Sequence, residues 1–304
     1  MSYSNYEQTV IVNGNRLLGI QSVDGSYGIS EKPIRVAGVG FIDALIDSPL
    51  QGNFNISRKM VGADPLIEKN SQGKYIYDES EINGVILYDN DTKGFGFTKG
   101  RVSRYSVSCS VGNVPEIQTD ITVYGSLGKN VATDQTVVEP PLIKFPDQSS
   151  MRVTVSDFDE ANENPLLLTD AISDFSFSRA INTVPIYALP RGNSDDWNDE
   201  TPQASTKNLD PIQIDTQYPI ETDINFTIIA DSYEVREIKD RIQAAPKSNV
   251  SIEIFDAQAP TEIINSYVGE NVRLISESLG STVDGEMTIS LTYKGYETLH
   301  NTVS

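Results

Sequence analysis

Ser48-Pro49-Leu50-Gln51-Gly52-Asn53-Phe54-Asn55-Ile56 is answered 170 positions later by Tyr218-Pro219-Ile220-Glu221-Thr222-Asp223-Ile224-Asn225-Phe226. Proline falls on proline, and the apolar residues at 50, 54 and 56 fall on those at 220, 224 and 226. The same spacing lays residues 102–125 on 272–295 without a gap. There Ile117, Thr119, Ile121 and Val123 meet Met287, Ile289, Leu291 and Tyr293, and Glu277 stands opposite Val107. A spacing of 167 sets Tyr88-Asp89 on Phe255-Asp256 and Asp64 on Asp231, and one of 152 sets Pro33-Ile34 on Pro185-Ile186. The change from 152 to 170 requires 18 extra residues in the second copy, between Pro185 and Pro219. Matches that keep one order with few gaps mark an internal duplication.

Each copy reads as strands. Tyr105, Val107, Cys109 and Val111 alternate with Ser106, Ser108 and Ser110, the period-two pattern of a half-buried strand. Cys109 falls on the apolar side, which makes it a packing residue. A turn at Asn113-Val114-Pro115 leads into the next alternating run, and Val283-Asp284-Gly285 is the hairpin signal in the second copy. The clearest helix pattern starts at Asp231, with Glu234 completing a capping box, Val235, Ile238 and Ile242 as an apolar stripe, and Pro246 at its end. Its first-copy counterpart is short: Asp64 as cap, Pro65 at the first helical position, then Leu66 and Ile67. The expected fold is mainly β: two tandem β-sandwich or barrel units, each with a flanking α-helix. Residues 1–125 form the first unit with an N-terminal arm. Residues 126–170, with Glu139-Pro140-Pro141 and Phe145-Pro146, read as a linker. Residues 171–304 form the second unit, with a long inserted loop at about 190–211.

Composition removes several classes of function. The chain has 304 residues with 23 Lys+Arg against 43 Asp+Glu, a net charge of −20, which disfavours a nucleic-acid binder. The excess sits mostly in the second half, net −16 for residues 151–304 against −4 for 1–150. One Cys leaves no disulfide framework and no cysteine zinc site, and a single His, His300, nearly rules out a Ser-His-Asp triad or a multi-histidine metal site. No cofactor or metal is expected. Asp89-Asn90-Asp91-Thr92-Lys93-Gly94 approaches a calcium loop, but Lys93 takes a ligand position and Gly100 replaces the closing glutamate, so it reads as a strand-connecting turn. The Gly94–Gly100 run lacks P-loop spacing. No apolar run is long enough to span a membrane, and Met1-Ser2-Tyr3-Ser4 reads as no signal peptide.

Tyr27-Gly28-Ile29-Ser30 before Pro33-Ile34, Phe175-Ser176-Phe177-Ser178-Arg179 before Val184-Pro185-Ile186, and the polar-patterned strands after each resemble the tail tube proteins of tailed bacteriophages and their baseplate relatives. The similarity covers about 20–125 and 172–296. It implies a β-sandwich unit with a flanking helix and a long hairpin loop. Six units close a ring, and stacked rings form a conduit for DNA; a fused double unit needs only three chains per ring. The partners implied are further copies of the chain and other phage tail proteins, with DNA as transient, non-specific cargo and no membrane. The implied location is the virion tail, assembled in the bacterial host cytoplasm. The inserted loop then supplies ring contacts, through Arg191, Asp195, Asp196, Trp197, Asp199 and Glu200. The same resemblance admits a baseplate hub, distal tail or tail terminator ring protein. A carbohydrate-binding β-sandwich adhesin is a further class, set back by the single Trp. An enzyme would have to rely on paired carboxylates that no local motif singles out. A structural, non-enzymatic role is the expectation.

Overall fold

The computed structural model describes residues 8–28, 31–34, 44–47, 51–69, 75–88, 93–138, 143–157, 166–167, 172–187, 211–229, 247–281 and 287–297. The first part of the chain supplies β1 (Thr9–Val12), β2 (Asn15–Leu17), β3 (Ile20–Gly28), β4 (Glu31–Ile34), β5 (Ala44–Asp47), β6 (Gln51–Lys59), β7 (Ile82–Tyr88), β8 (Lys93–Ser110), β9 (Glu116–Val123) and β10 (Leu127–Lys129). The second supplies β11 (Pro146–Asp157), β12 (Leu166–Leu167), β13 (Ile172–Ile186), β14 (Gln213–Ile229), β15 (Ser248–Asp256), β16 (Ile263–Gly280) and β17 (Thr288–Glu297). All but the β4–β5 pair belong to one 15-stranded antiparallel sheet. The protein is mainly β.

The duplication is visible in the pairing. The first unit runs β3-β6-β9-β8-β7-β1, and the second runs β13-β14-β17-β16-β15-β11 in the same order. Registers agree as well. Val23 lies opposite Ile56 as Phe175 lies opposite Phe226, which keeps the spacings of 152 and 170. A β-bulge between Val102 and Arg104 recurs between Leu274 and Ser276. A second, between Ile82 and Gly84, recurs between Ser248 and Val250. At the latter, Lys99 and Asn271 both take a left-handed backbone, φ +52° and +55°. Asn83 Oδ1 accepts the Lys99 N–H at 3.2 Å, and Asn249 Oδ1 accepts the Asn271 N–H at 3.0 Å. An asparagine on the neighbouring strand thus satisfies the same irregular amide in both units.

Two spacings need correction. The bulges place Ile117, Thr119, Ile121 and Val123 on Ile289, Leu291, Tyr293 and Gly295, a spacing of 172. Glu277 therefore corresponds to Tyr105, and Leu279 to Val107. A slip of two keeps every side chain on its face, so the alternation alone does not reveal it. On β7 the spacing is 166, with Tyr88 level with Ile254. The apparent match to Phe255-Asp256 straddles a further bulge at Ile254/Phe255, beyond which both residues are buried.

The stretch 126–170 does more than link: β10 pairs with β8, and β11 pairs with β15 as β1 pairs with β7. The flanking helix of the first unit is a single 3-10 turn, Pro65–Ile67. Asp64 caps it as expected, Oδ1 accepting the Leu66 N–H at 2.9 Å, but Glu68 is already extended. Three residues are too few to sustain an α-helix, and Asp64 is engaged by the core. Among the described residues there is no α-helix; the pattern from Asp231 lies outside them.

The cores repeat with exchanged volumes. Phe97 of β8 packs on Phe54 of β6, ring centroids 4.7 Å apart, in space left by Gly84 and Gly100. In the second unit Gly269 takes the place of Phe97, while Val250 and Val272 replace the two glycines. Gly25 makes room for Phe95 in the first unit; Phe177 and Tyr267 fill the same layer in the second, 5.3 Å apart. Each unit reaches close packing by its own distribution of large and small residues.

Candidate functional site

The two units meet strand to strand. Asp174–Ala180 of β13 lies antiparallel on Arg104–Ser110 of β8, in a register that puts Phe177 opposite Val107 and Arg179 opposite Tyr105. The polar faces of the two units thereby become one. Ser106 and Ser108 of β8 are continuous with Ser176 and Ser178 of β13, then with Asp223 and Asn225 of β14 and Ser290 and Thr292 of β17. On the other side of β8 the face continues through Gln118, Asp120 and Thr122 of β9 to Asn53, Asn55 and Ser57 of β6. Over the joint it dips into an open hollow lined by Ser106, Ser108, Ser176, Ser178, Asp223 and Asn225, among others. The opposite parity of the same strands supplies the apolar core.

Two of the cations on this face, Lys59 and Lys294, are held in ion pairs. Lys59 Nζ lies 2.9 Å from Glu116 Oε2, and that hydrogen bond holds the Glu116 carboxyl below its usual range. Lys294 pairs with Glu221 and lies 3.8 Å from Asp223; its bond to Glu221 raises the ammonium above its usual value. Arg104 stands across from Asp120. With Asp24 and Asp174 in addition, carboxylates on the face outnumber cations. Among the described residues a polyanion meets mostly hydroxyls, amides and carboxylates, with Lys294 and Arg273 adjoining where the face passes from β17 to β16.

Buried polar groups behind the wall hold the units together. Arg58, at a core position of β6, pairs with Asp64. Tyr105 Oη donates to Asp64 Oδ2 at 2.7 Å and lies 3.4 Å from Tyr267 Oη of the second unit. The Asp64 N–H donates to Asn265 Oδ1 at 3.0 Å, and Asn265 Nδ2 donates to the Gly62 carbonyl at 3.3 Å. Burial works against the Arg58 cation, but Asp64 together with Tyr105 and Tyr267 raises its pKa; burial, then Asp64, pushes the Tyr105 hydroxyl well up. A second cluster centres on Arg179, also at a core position. It donates to Asp78 Oδ2 at 2.9 Å, bonds Glu297, and lies 4.0 Å over the ring of Tyr75. Burial lifts the Asp78 carboxyl to about 6, against the pull of Arg179 and with help from Glu297. Arg101 Nη2 adds a bond to the Ile214 carbonyl at 2.7 Å.

Arg191, Asp195, Asp196, Trp197, Asp199 and Glu200 lie outside the described residues. Cys109 is buried, donates its thiol to the Asn113 carbonyl at 3.2 Å, and is pushed by burial up to about 11, a packing role. Among the described residues no group of His, Cys, Asp and Glu is arranged to hold a metal ion, and no helix is long and apolar enough to cross a membrane. The joint residues had a signal of their own: Phe54, Ile56, Arg58 and Phe175, Phe177, Arg179 each put a cation on the apolar parity of a strand. Compared with known proteins, the chain matches no family model and no curated protein.

Proposed function

We propose that this chain is a structural subunit of a phage tail tube, in which copies close into rings and stacked rings pass DNA along the polar face of the sheet. The observation that carries the proposal is that face. It runs from β6 of the first unit to β17 of the second, with Lys59 and Lys294 held by carboxylates and Arg104 level with Asp120. A conduit wall must be wetted and must not retain its cargo, and small hydroxyl and amide side chains with an acidic balance meet both demands. Two units of one topology, joined edge to edge, supply two successive segments of such a wall. Three chains per ring give six units. DNA is transient cargo on this reading, the partners are further copies and other tail proteins, and the chain acts in the virion tail without catalysis. Negative-stain micrographs of the purified protein test it. Hollow rings of pseudo-sixfold symmetry are the expected image; monomers at every concentration would overturn the assignment.

A further inference from the structure

The internal joint has two halves, and each half occurs a second time in the chain with its edge open. β3 stands to β6 as β13 stands to β14, in the same register. Beyond its bulge, β16 stands to β17 as β8 stands to β9. Yet among the described residues β3 has only β6 beside it, and β16 beyond Val272 has only β17. Burial records the difference. In the joint, Val107 is 1% exposed and Arg179 4%; their counterparts on the open edges, Leu279 and Tyr27, are 53% and 58% exposed.

From this we infer that copies of the chain join head to tail, β3 of one copy lying on β16 of the next in the register of the internal joint. That register sets Val23 opposite Ser281, Gly25 opposite Leu279, Ser26 opposite Ser278 and Tyr27 opposite Glu277 of the next copy. The occupant is a second copy because one chain carries both complementary halves of a joint whose geometry it already realises. Volumes match too: Leu279 meets a glycine where Val107 meets Phe177. The contact is heterologous, so it gives a ring where the rotation between copies closes and an open filament where it does not, and the ring-subunit reading requires the first. The inference rests on the ring-subunit reading and adds to it which edges meet and in what register.

Disulfide trapping in the full-length Cys109→Ser chain tests it. Directly opposed strand residues lie within disulfide reach, whereas a diagonal pair two residues off lies at or beyond its limit. Ser106→Cys with Ser178→Cys, paired in the internal joint, serves as the positive control within one chain. Ser26→Cys with Ser278→Cys should give covalent multimers on a denaturing gel, at least tenfold more than Ser26→Cys with Ser276→Cys. Leu279→Lys, half-exposed in the single chain, should abolish rings with an unchanged circular dichroism spectrum. Rings in micrographs without the in-register crosslink, or with equal trapping of both pairs, overturn this seam and leave the ring reading standing. An absence of both rings and crosslinks overturns the two together.

Discussion

Asn83 and Asn249 show how little chemistry a β-bulge needs. Each asparagine accepts the amide of a residue whose left-handed backbone takes it out of the ladder, Lys99 in one unit and Asn271 in the other. Replacing Asn249 with alanine removes the acceptor from a largely solvated amide and should lower stability by about 1 kcal/mol, read as a shift in urea midpoint at constant slope. Asp78 carries the pH dependence of the joint. Its folded-state pKa is raised from 3.8 to about 6, so the folded protein holds this proton more tightly than the unfolded chain. The contribution is complete below the unfolded value and is lost as pH rises through the folded one. Stability should therefore rise by about 1 kcal/mol between pH 7 and pH 5 from this group, and Asp78→Asn should flatten thermal melts over that window.

The 18-residue strands β8 and β16 carry the architecture at the level of elements. The first half of each pairs with a strand of one layer, β7 or β15; past the bulges each runs along β9 or β17. Packing beside the crossover is where the units differ most. A Cβ added at Gly84 would lie 2.4 Å from the Phe97 ring, and one added at Gly100 would do the same. Gly84→Val alone should cost about 3 kcal/mol through overpacking. The triple change Gly84→Val, Phe97→Gly, Gly100→Val copies the arrangement of Val250, Gly269 and Val272, and it should lose less than the single change. Equilibrium urea unfolding of the two variants checks the order.

For the whole molecule, the decisive feature is that one sheet passes from unit to unit while polar clusters clamp the joint behind it. Arg58, Asp64, Asp78 and Arg179 are all nearly inaccessible, and a buried pair of this kind fixes geometry more than it adds net stability. Their positions, linked across the unit boundary through Asn265 and Tyr267, keep the polar face continuous. The proposed conduit makes a prediction about cargo at this scale. Ser106→Lys, Ser178→Lys and Thr292→Lys add three cations to the hollow over the joint, where Asp223 is the one carboxylate in the lining. Assembled particles of that variant should retain double-stranded DNA in a gel-shift assay. The logarithmic salt dependence should have a slope of about −0.9 per lysine engaged, where the parent chain retains none.

Period-two alternation made the strands legible, because side-chain direction follows from local backbone geometry. The recurrence of Pro49 and Phe54 at Pro219 and Ile224 made the duplication legible, and Asp64 announced its cap. Alternation repeats every two residues, however, so spacings of 170 and 172 look alike until a bulge at Val102 and one at Leu274 are seen to coincide. The partnership of Arg179 with Asp78 spans 101 positions, and that of Asp64 with Asn265 spans 201. Nothing local encodes which strand edge meets which. By itself the sequence determined the strands, their faces and their repetition. Only the tertiary structure decided the registers, the β8–β13 joint and the two edges left open, because these depend on contacts between residues far apart along the chain.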